Sequence, residues 1–276
     1  MTSVESQLRV RLVDEHSQTL LTGALEVAQN TTIPIRHSFF SSALRELFTH
    51  TLHLLAQDDE VRKCAWFVQE PGTNRPTRRQ RMKYATQGGI PNTYIEKLGI
   101  DLDDLHGEAV QAMDEMSKYT HLRPGNVVQD QAVIDAFAQD AMSALLNLFS
   151  SFDECRAAVI DGLIEKIDDE AIEASVSETL ADVDILATHH FIQAVYINDV
   201  KVTALTSNAI RFYVEGSLSI QLQYGSGSDM SRGDGALIDV SFPFFASMRA
   251  PADNVEALTT EDYSVDTRSW YGSDDE

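Results

Sequence analysis

The spacing of the apolar residues changes from a helical period to a strand-like period near residue 190. Before that point, apolar residues recur three and four positions apart, most clearly in residues 127–149. After it, Ile210, Phe212 and Val214 alternate with polar residues, as in a strand with one buried face. The pattern predicts an α+β fold, in which an N-terminal helical domain precedes a small antiparallel β domain arranged as a sandwich or a meander.

The helical part is predicted to contain several helices separated by Gly, Pro and Asn residues. The predicted ranges are 4–29 (one or two helices), 38–56, 77–87, 91–98, 104–122, 127–149, 153–167 and 169–181. Ser38 or Ser41 is expected to cap the helix at 38–56, and Thr77 the next one. The apolar run 64–68 is either a strand or a buried helix end, because periodicity does not distinguish them.

The β part is predicted from alternation and from turn residues. The expected strands are 191–197, 200–206, 210–214, 217–222 and 236–250. Asn198 with Asp199, and Glu215 with Gly216, are interpreted as the turns of two hairpins. Pro243 is expected to mark a bulge or an edge.

Four segments follow along the chain. Residues 1–30 are a helical extension, 31–181 a helical domain with a nuclease or nucleic-acid-binding role, and 182–250 the antiparallel β domain. Residues 251–276 are acidic and rich in Ser and Thr, which predicts a disordered tail.

The expected location is the cytoplasm. The sequence contains no run of 18 apolar residues, so no membrane span is predicted. The N-terminus lacks the basic and then apolar layout of a signal peptide. Cys64 and Cys155 have no cysteine close in sequence, so they are interpreted as buried free thiols of a reducing compartment.

The net charge of −22 is concentrated in the second half of the chain. Residues 1–35 carry 2 basic and 4 acidic residues, residues 36–126 carry 12 of each, and residues 127–276 carry 7 basic and 27 acidic residues. Strong acidity repels polyanions. A phosphate-binding surface is therefore expected only in the neutral first half.

A cationic cluster lies in that neutral half. Its members and a neighbouring tyrosine are Arg75, Arg78, Arg79, Arg81, Lys83 and Tyr84. Guanidinium groups suit phosphate oxygens and a tyrosine stacks on a base, so one interpretation is a nucleic-acid-binding helix. The other is that the cluster pairs with acidic groups of the same chain or of a partner.

Two arginine–histidine pairs are candidates for catalysis. Arg45 and His50 suit phosphodiester cleavage without a metal, because an arginine holds the phosphate while a histidine takes the proton of a ribose 2′-hydroxyl. They lie about 140° apart around a helix, so they share a site only near a helix end or across a dimer, and otherwise are ordinary surface and packing residues. His121 is a second acid–base candidate and Arg123 a phosphate contact, unless both complement a helix dipole.

Metal and cofactor sites are not predicted. His189 and His190 are adjacent and point to opposite faces of a strand, and His50 with His53 lacks a third ligand at a diagnostic spacing. The glycine-rich phosphate loops and the hydrolase and zinc motifs are absent.

The chain resembles the bacterial family of predicted nucleases associated with prokaryotic PIWI-type proteins. The resemblance covers about residues 36–250 and rests on ordered strings of residues. They are His37 to Phe40, Leu44 to Leu47, Asp59 to Val61, Trp66 and Phe67, Arg78 to Arg81 with Tyr84, Gly88 and Gly89, and Thr120 to Arg123. It implies a role in defence against phage and plasmids and a protein partner from such a system.

The Arg45–His50 spacing is also similar to the signature of HEPN ribonucleases. That similarity implies a helical, often dimeric ribonuclease, so RNA is favoured over DNA and a homodimer is one expected assembly. Here the motif lies in an early helix and contains Glu46, whereas the HEPN motif usually lies late in its bundle.

Two functions of different kinds remain. The first is a defence-associated nuclease or nucleic-acid-binding module that uses Arg45, His50 and His121 and grips phosphate with the cationic cluster. The second is a non-enzymatic adaptor or immunity protein that docks on a basic partner through its acidic half, residues 127–276.

Overall fold

A computed structural model describes residues 3–121, 127–177 and 181–272. Helices fill the first part of the chain and a four-stranded antiparallel sheet follows, which confirms the predicted α+β class. The chain divides into two compact units, Met1–Ala157 and Ala158–Glu276.

The first unit is helical. Its helices are α1 (Ser3–Arg11), α2 (Glu15–Gln29), α3 (Arg36–Leu55), α4 (Asp58–Lys63), α5 (Arg78–Gln87), α6 (Asn92–Lys97), α7 (Leu102–Tyr119) and the first part of α8 (Gln131–Ser177). The run 64–68 is a turn and loop, neither strand nor helix.

Side-chain caps fix the starts of several helices. Asp14 accepts a hydrogen bond from the backbone of Ser17 at the start of α2, and Thr77 forms a capping box with Gln80 at the start of α5, as predicted for Thr77. The predicted cap of α3 by Ser38 or Ser41 is wrong. Both serines are buried within α3, which begins without a side-chain cap.

Amphipathic faces of the helices meet in one core in the first unit. Its fully buried members include Leu21, Ala24, Phe40, Leu44, Leu47, Phe48, Met113, Met116 and Leu145. Their spacing of three and four residues puts them on one face of each helix, so the remaining faces of α3, α5 and α7 are left for polar side chains.

The predicted separation of α8 into three helices is wrong. Residues 131–177 contain no proline, and Ser150 and Ser151 donate hydrogen bonds to carbonyls within the helix, at Leu146 and Leu148. The polar positions at 150–153 therefore continue the helix. One 18-residue stretch of α8 has the length and composition of a membrane span, although the sequence has no unbroken apolar run of that length.

The second unit contains the rest of α8 and the sheet. The strands are β1 (His189–Leu205), β2 (Ala209–Tyr224), β3 (Ala236–Pro251) and β4 (Thr259–Val265), in the order β1-β2-β3-β4, which is a meander. Short helices are α9 (Ala181–Asp184), α10 (Gly227–Arg232) and a 3₁₀ helix (Arg268–Tyr271). The buried positions of β2 alternate, as predicted, at Ile210, Phe212, Val214, Leu218, Ile220 and Leu222.

Two predicted turns are wrong, because β1 and β2 are each one long strand. Asn198 with Asp199 lies inside β1, where the pairing with β2 shifts register. Gly216 lies inside β2 and faces Phe244 and the carbonyl of Tyr196; a Cβ atom there would lie 2.2 Å from the Phe244 ring and 2.4 Å from that oxygen. Glycine is therefore required by close packing and not by a turn.

The predicted disorder of the C-terminal segment is wrong for its described part. β4 pairs with β3 from Phe244 to Arg249, and Pro243 lies just outside that pairing. The Thr260 amide donates to Glu170, and the Tyr263 hydroxyl lies 2.7 Å from the Ser175 hydroxyl. The acidic composition of β4 thus reflects exposed strand positions.

The predicted boundary after residue 181 differs from the division observed. The sequence assigned all of 31–181 to one domain, whereas the two compact units divide within α8. Periodicity alone cannot show where within a continuous helix one compact unit ends and the next begins.

Candidate functional site

The cationic cluster does not form one surface, because α5 turns its members in different directions. Arg81 is only 2% exposed; its guanidinium donates to the carbonyl oxygen of Ala56 and forms an ion pair with Asp58. The same interactions hold the pKa of Asp58 below its usual value, chiefly through the hydrogen bond from Arg81. The predicted role of Arg81 in nucleic-acid binding is therefore wrong, and its role is to fasten α5 to the start of α4.

Tyr84 is also not available for stacking on a base. It is 7% exposed, packs with Val61 and Cys64, and its hydroxyl lies 3.5 Å from Glu60. Lys83 is half-buried, with its ammonium 4.7 Å from the centre of the Trp66 ring. Burial lowers the pKa of Lys83, while nearby carboxylates act in the opposite direction.

Three arginines of the cluster remain exposed. Arg75 and Arg79 have carboxylate partners only at 3.9 Å, Asp58 and Asp103 respectively. Arg78 is exposed and has no hydrogen bond or ion pair with any residue in the described ranges. Exposed ion pairs of this length contribute little to stability, so all three side chains are free to meet phosphate.

The predicted catalytic residues lie at two separate places. Arg45 is half-buried on α3 and donates to the hydroxyl of Thr120, 3.5 Å away, at the end of α7. His121 follows Thr120 and is exposed, so the structure brings Arg45 to the segment that carries His121. His50 faces α2 instead, because five residues turn a helix by about 140°. Arg123 lies outside the described residues.

His50 belongs to a cluster that bridges α2 and α3. Its Nε2 atom lies 3.1 Å from Oδ1 of Asp14, and its ring meets the ring of His16 edge-on with centroids 4.7 Å apart. Hydrogen bonds from Ser17, and then the neighbouring His50, lower the pKa of Asp14 to about 2. Asp14 is therefore ionised at neutral pH and acts only as a hydrogen-bond acceptor.

That acceptor fixes the tautomer of His50. When the imidazole is neutral, the hydrogen must be on Nε2, where it points at the carboxylate. The other nitrogen, Nδ1, then carries the lone pair and is the atom that accepts a proton. A carboxylate that orients a histidine in this way is a common second contact in catalytic sites.

The cluster continues along one face of α3. Glu46, His50 and His53 are spaced by four and three residues and therefore share that face. The pKa of His53 is lowered mainly by burial and then by the charges of Arg81 and Arg75, which places these cations near it. We call the surface formed by Asp14, His16, Glu46, His50 and His53 the histidine face.

Sequence reasoning found only His50 of this face as a candidate. Asp14 and His16 are separated from it by more than 30 residues, and only packing of α2 on α3 brings them together. No group of three metal-ligating side chains surrounds a common point in the described ranges of the chain.

A second polar arrangement is a cleft of about 530 Å³ between α5, α6 and the start of α7, which we call the α5–α7 cleft. Arg79 and Lys83 line one side of it, and buried His106 lies at its inner wall. Burial lowers the pKa of His106 to about 4, and its Nε2 atom lies 2.7 Å from the hydroxyl of Thr86. His106 was not among the predicted site residues, because it occupies a position on the buried, otherwise apolar face of α7.

Two family models match the chain. Both describe a predicted pPIWI-associating nuclease; one matches residues 10–145 and the other residues 152–271. The chain belongs to this family of predicted pPIWI-associating nucleases. No curated protein and no solved structure matches it.

Membership of the predicted nuclease family confirms the resemblance drawn from the sequence. The matched residues 10–145 contain both the histidine face and the α5–α7 cleft. The match at 152–271 contains the sheet. The histidine face and the cations of the α5–α7 cleft therefore both lie in residues 10–145, the segment matched by one of the two family models.

Proposed function

We propose that this family member cleaves RNA at the histidine face, as the nuclease partner of a PIWI-type protein. The observation that carries the proposal is the contact of His50 with ionised Asp14, beside the ring of His16. Two imidazoles at this distance supply a base and an acid to one phosphodiester.

The chemistry follows from the tautomer of His50. Its Nδ1 atom takes the proton of a ribose 2′-hydroxyl, and the 2′-oxygen attacks the adjacent phosphorus. The bond from phosphorus to the 5′-oxygen breaks, and protonated His16 gives that oxygen its proton. The products are a 2′,3′-cyclic phosphate and a 5′-hydroxyl, so DNA, which lacks the 2′-hydroxyl, is not a substrate.

Two exposed arginines, Arg75 and Arg78, supply the phosphate contacts in this proposal. Arg75 lies close enough to His53 for its charge to lower the pKa of that histidine, and Arg78 has no protein partner among the described residues. Guanidinium groups stabilise the charge that develops on the phosphoryl oxygens. All the groups that take part are side chains of the protein, so cleavage is expected to be independent of metal ions.

The test is cleavage of single-stranded RNA and DNA by the purified chain with and without EDTA. We expect RNA-specific, EDTA-resistant cleavage that leaves 2′,3′-cyclic phosphate ends. H50A and H16A should each lower the rate at least a hundredfold, whereas H189A, which changes an exposed histidine of β1, should not. Full activity in H50A would exclude the histidine face.

The same assay separates a rival arrangement. Arg45 donates to Thr120, the residue before His121, at the end of α7, so R45A and H121A should abolish cleavage if that place carries the chemistry. On the present proposal both variants stay within about threefold of the native rate, while H50A and H16A do not.

A second candidate function concerns the acidic half of the chain. Residues 127–276 have a net charge of −20, and Phe191 and Tyr196 of β1 are more than half exposed. We propose that this half docks on a basic surface of the PIWI-type partner, whether or not cleavage occurs. Co-purification with a PIWI-type protein should persist in H50A and weaken at 0.5–1 M salt, since screening acts on exposed charges.

A further inference from the structure

The α5–α7 cleft is lined by positive and negative groups around an apolar floor. Arg79 and Lys83 line it from α5, and Glu96, Asp101 and Asp103 line it from α6 and the start of α7; the guanidinium of Arg79 lies 3.9 Å from the Asp103 carboxylate. The floor consists of Ile95, Ile100, Leu102 and Val110. A volume of about 530 Å³ is in the range of small-molecule sites.

His106 adds an acceptor at the inner wall. The Thr86 hydroxyl lies 2.9 Å from the carbonyl oxygen of Met82 and 2.7 Å from Nε2 of His106. A hydroxyl has one hydrogen, so both contacts are hydrogen bonds when it donates to Met82 and His106 donates through Nε2. The Nδ1 atom then carries a lone pair, and no hydrogen bond to it is found among the described residues.

The cleft therefore presents cationic donors from α5 and carboxylate acceptors from α6 and α7. A planar ligand that matches it needs hydrogen-bond acceptors on one edge and donors on the adjacent edge. Guanine has this arrangement, since its O6 and N7 atoms accept hydrogen bonds and suit Arg or Lys. Its N1 and N2 hydrogens, on the neighbouring edge, suit carboxylates.

Other bases fit less well. Adenine carries an amino group where guanine has O6, and that group would meet the cations of α5. The pyrimidines lack N7 and have a smaller apolar surface to cover the floor. A base enters such a cleft only when it is unstacked, as in a single strand or a free nucleotide.

We infer that the α5–α7 cleft binds a guanine base, either of a free nucleotide or of single-stranded RNA. Arg79 and Lys83 contact O6 and N7, and Glu96 or Asp103 accepts from N1 and N2. As a base-specific subsite for RNA, the inference rests on the proposed function. The base lies on the side of α5 opposite Arg81 and therefore away from the histidine face.

The first experiment measures nucleotide binding by calorimetry, with no cleavage involved. The ligands are GMP, AMP, CMP and UMP, and the expected result is that GMP binds at least tenfold more tightly than the other three. Equal affinity for GMP and AMP, or no binding of GMP, would overturn the inference.

Matched variants locate the site. Asp103 lines the cleft and its side chain is 97% exposed, whereas Asp104 is the next residue of α7 and does not line the cleft. D103N and R79A should each weaken GMP binding at least fivefold. D104N, which removes the same charge from the same helix turn, should leave it unchanged, and equal effects of D103N and D104N would contradict the assignment.

Cleavage assays separate this inference from the proposed nuclease. An RNA with one guanosine among uridines should be cut near the guanosine, and D103N should remove that preference without stopping cleavage. Tight GMP binding without RNA cleavage would leave the cleft assigned and refute the nuclease. RNA cleavage without GMP binding would support the nuclease and refute the guanine site. Tighter binding of free GMP than of the RNA would identify a nucleotide as the ligand of the cleft.

Discussion

Buried Arg81 forms an ion pair with half-buried Asp58, while Arg78, one helical turn earlier in α5, is exposed and has no protein partner among the described residues. The cationic cluster thus contains both a structural and a surface arginine. This difference separates stability from nucleic-acid binding within one helix.

R81A is expected to destabilise the protein by about 2–4 kcal/mol, because it leaves the Ala56 carbonyl and Asp58 without their partner. Chemical denaturation measures the change. R78A is the matched control and should alter the free energy of unfolding by no more than about 0.5 kcal/mol. An R81A variant as stable as R78A would contradict the structural role.

R78A should instead weaken RNA binding and lower the slope of log affinity against log salt by about 0.7–1, the value for one lost phosphate contact. Filter binding at several salt concentrations measures this slope. A binding defect that does not depend on salt would argue against a phosphate contact at Arg78.

Asp14 is predicted to have two separable roles. D14A removes both the cap of α2 and the carboxylate beside His50, so it should lose about 1 kcal/mol of stability and most of the RNA-cleaving activity. D14S keeps a capping oxygen but not the charge. It should therefore retain stability and still lose at least tenfold in cleavage rate, and D14S with full activity would show that Asp14 is only a cap.

His106 is expected to make stability depend on pH in the weakly acidic range. Its folded pKa of about 4 lies below the ordinary value of 6.5, so the unfolded chain binds the proton more readily. Stability from this residue is complete above about pH 6.5 and is lost as the pH falls toward 4. H106Q should have a flatter stability profile between these values in urea titrations, and an unchanged slope would contradict the assignment.

G216A should destabilise the second unit by about 2 kcal/mol or more, because the Phe244 ring would have to move and the Tyr196 carbonyl is backbone. G107A is the matched control, since Gly107 lies within α7 with open space around its Cβ position. That change should stabilise the protein by about 0.5–1 kcal/mol. Thermal unfolding of both variants measures the difference in sign.

Local patterns were sufficient for the kinds of element and for many of their limits. The capping box at Thr77 marks the start of α5, and the alternation at Ile210, Phe212 and Val214 identifies the buried face of β2. Both signals involve neighbours in sequence, so they are read without knowledge of the fold. The prediction of a turn at Gly216 was wrong, because the sequence does not distinguish a glycine required by a close contact from a glycine required by a turn.

The amino-acid sequence by itself determined that a helical part precedes a β part, that the charge is concentrated in the second half, and to which family the chain is similar. Only the tertiary structure decided which cations are available and which histidine has a carboxylate. Arg81 and Arg78 are both arginines of α5, and only their different burial in the folded protein distinguishes their roles. His50 meets Asp14, 36 residues earlier, only because α2 packs on α3, and such long-range contacts leave no local pattern.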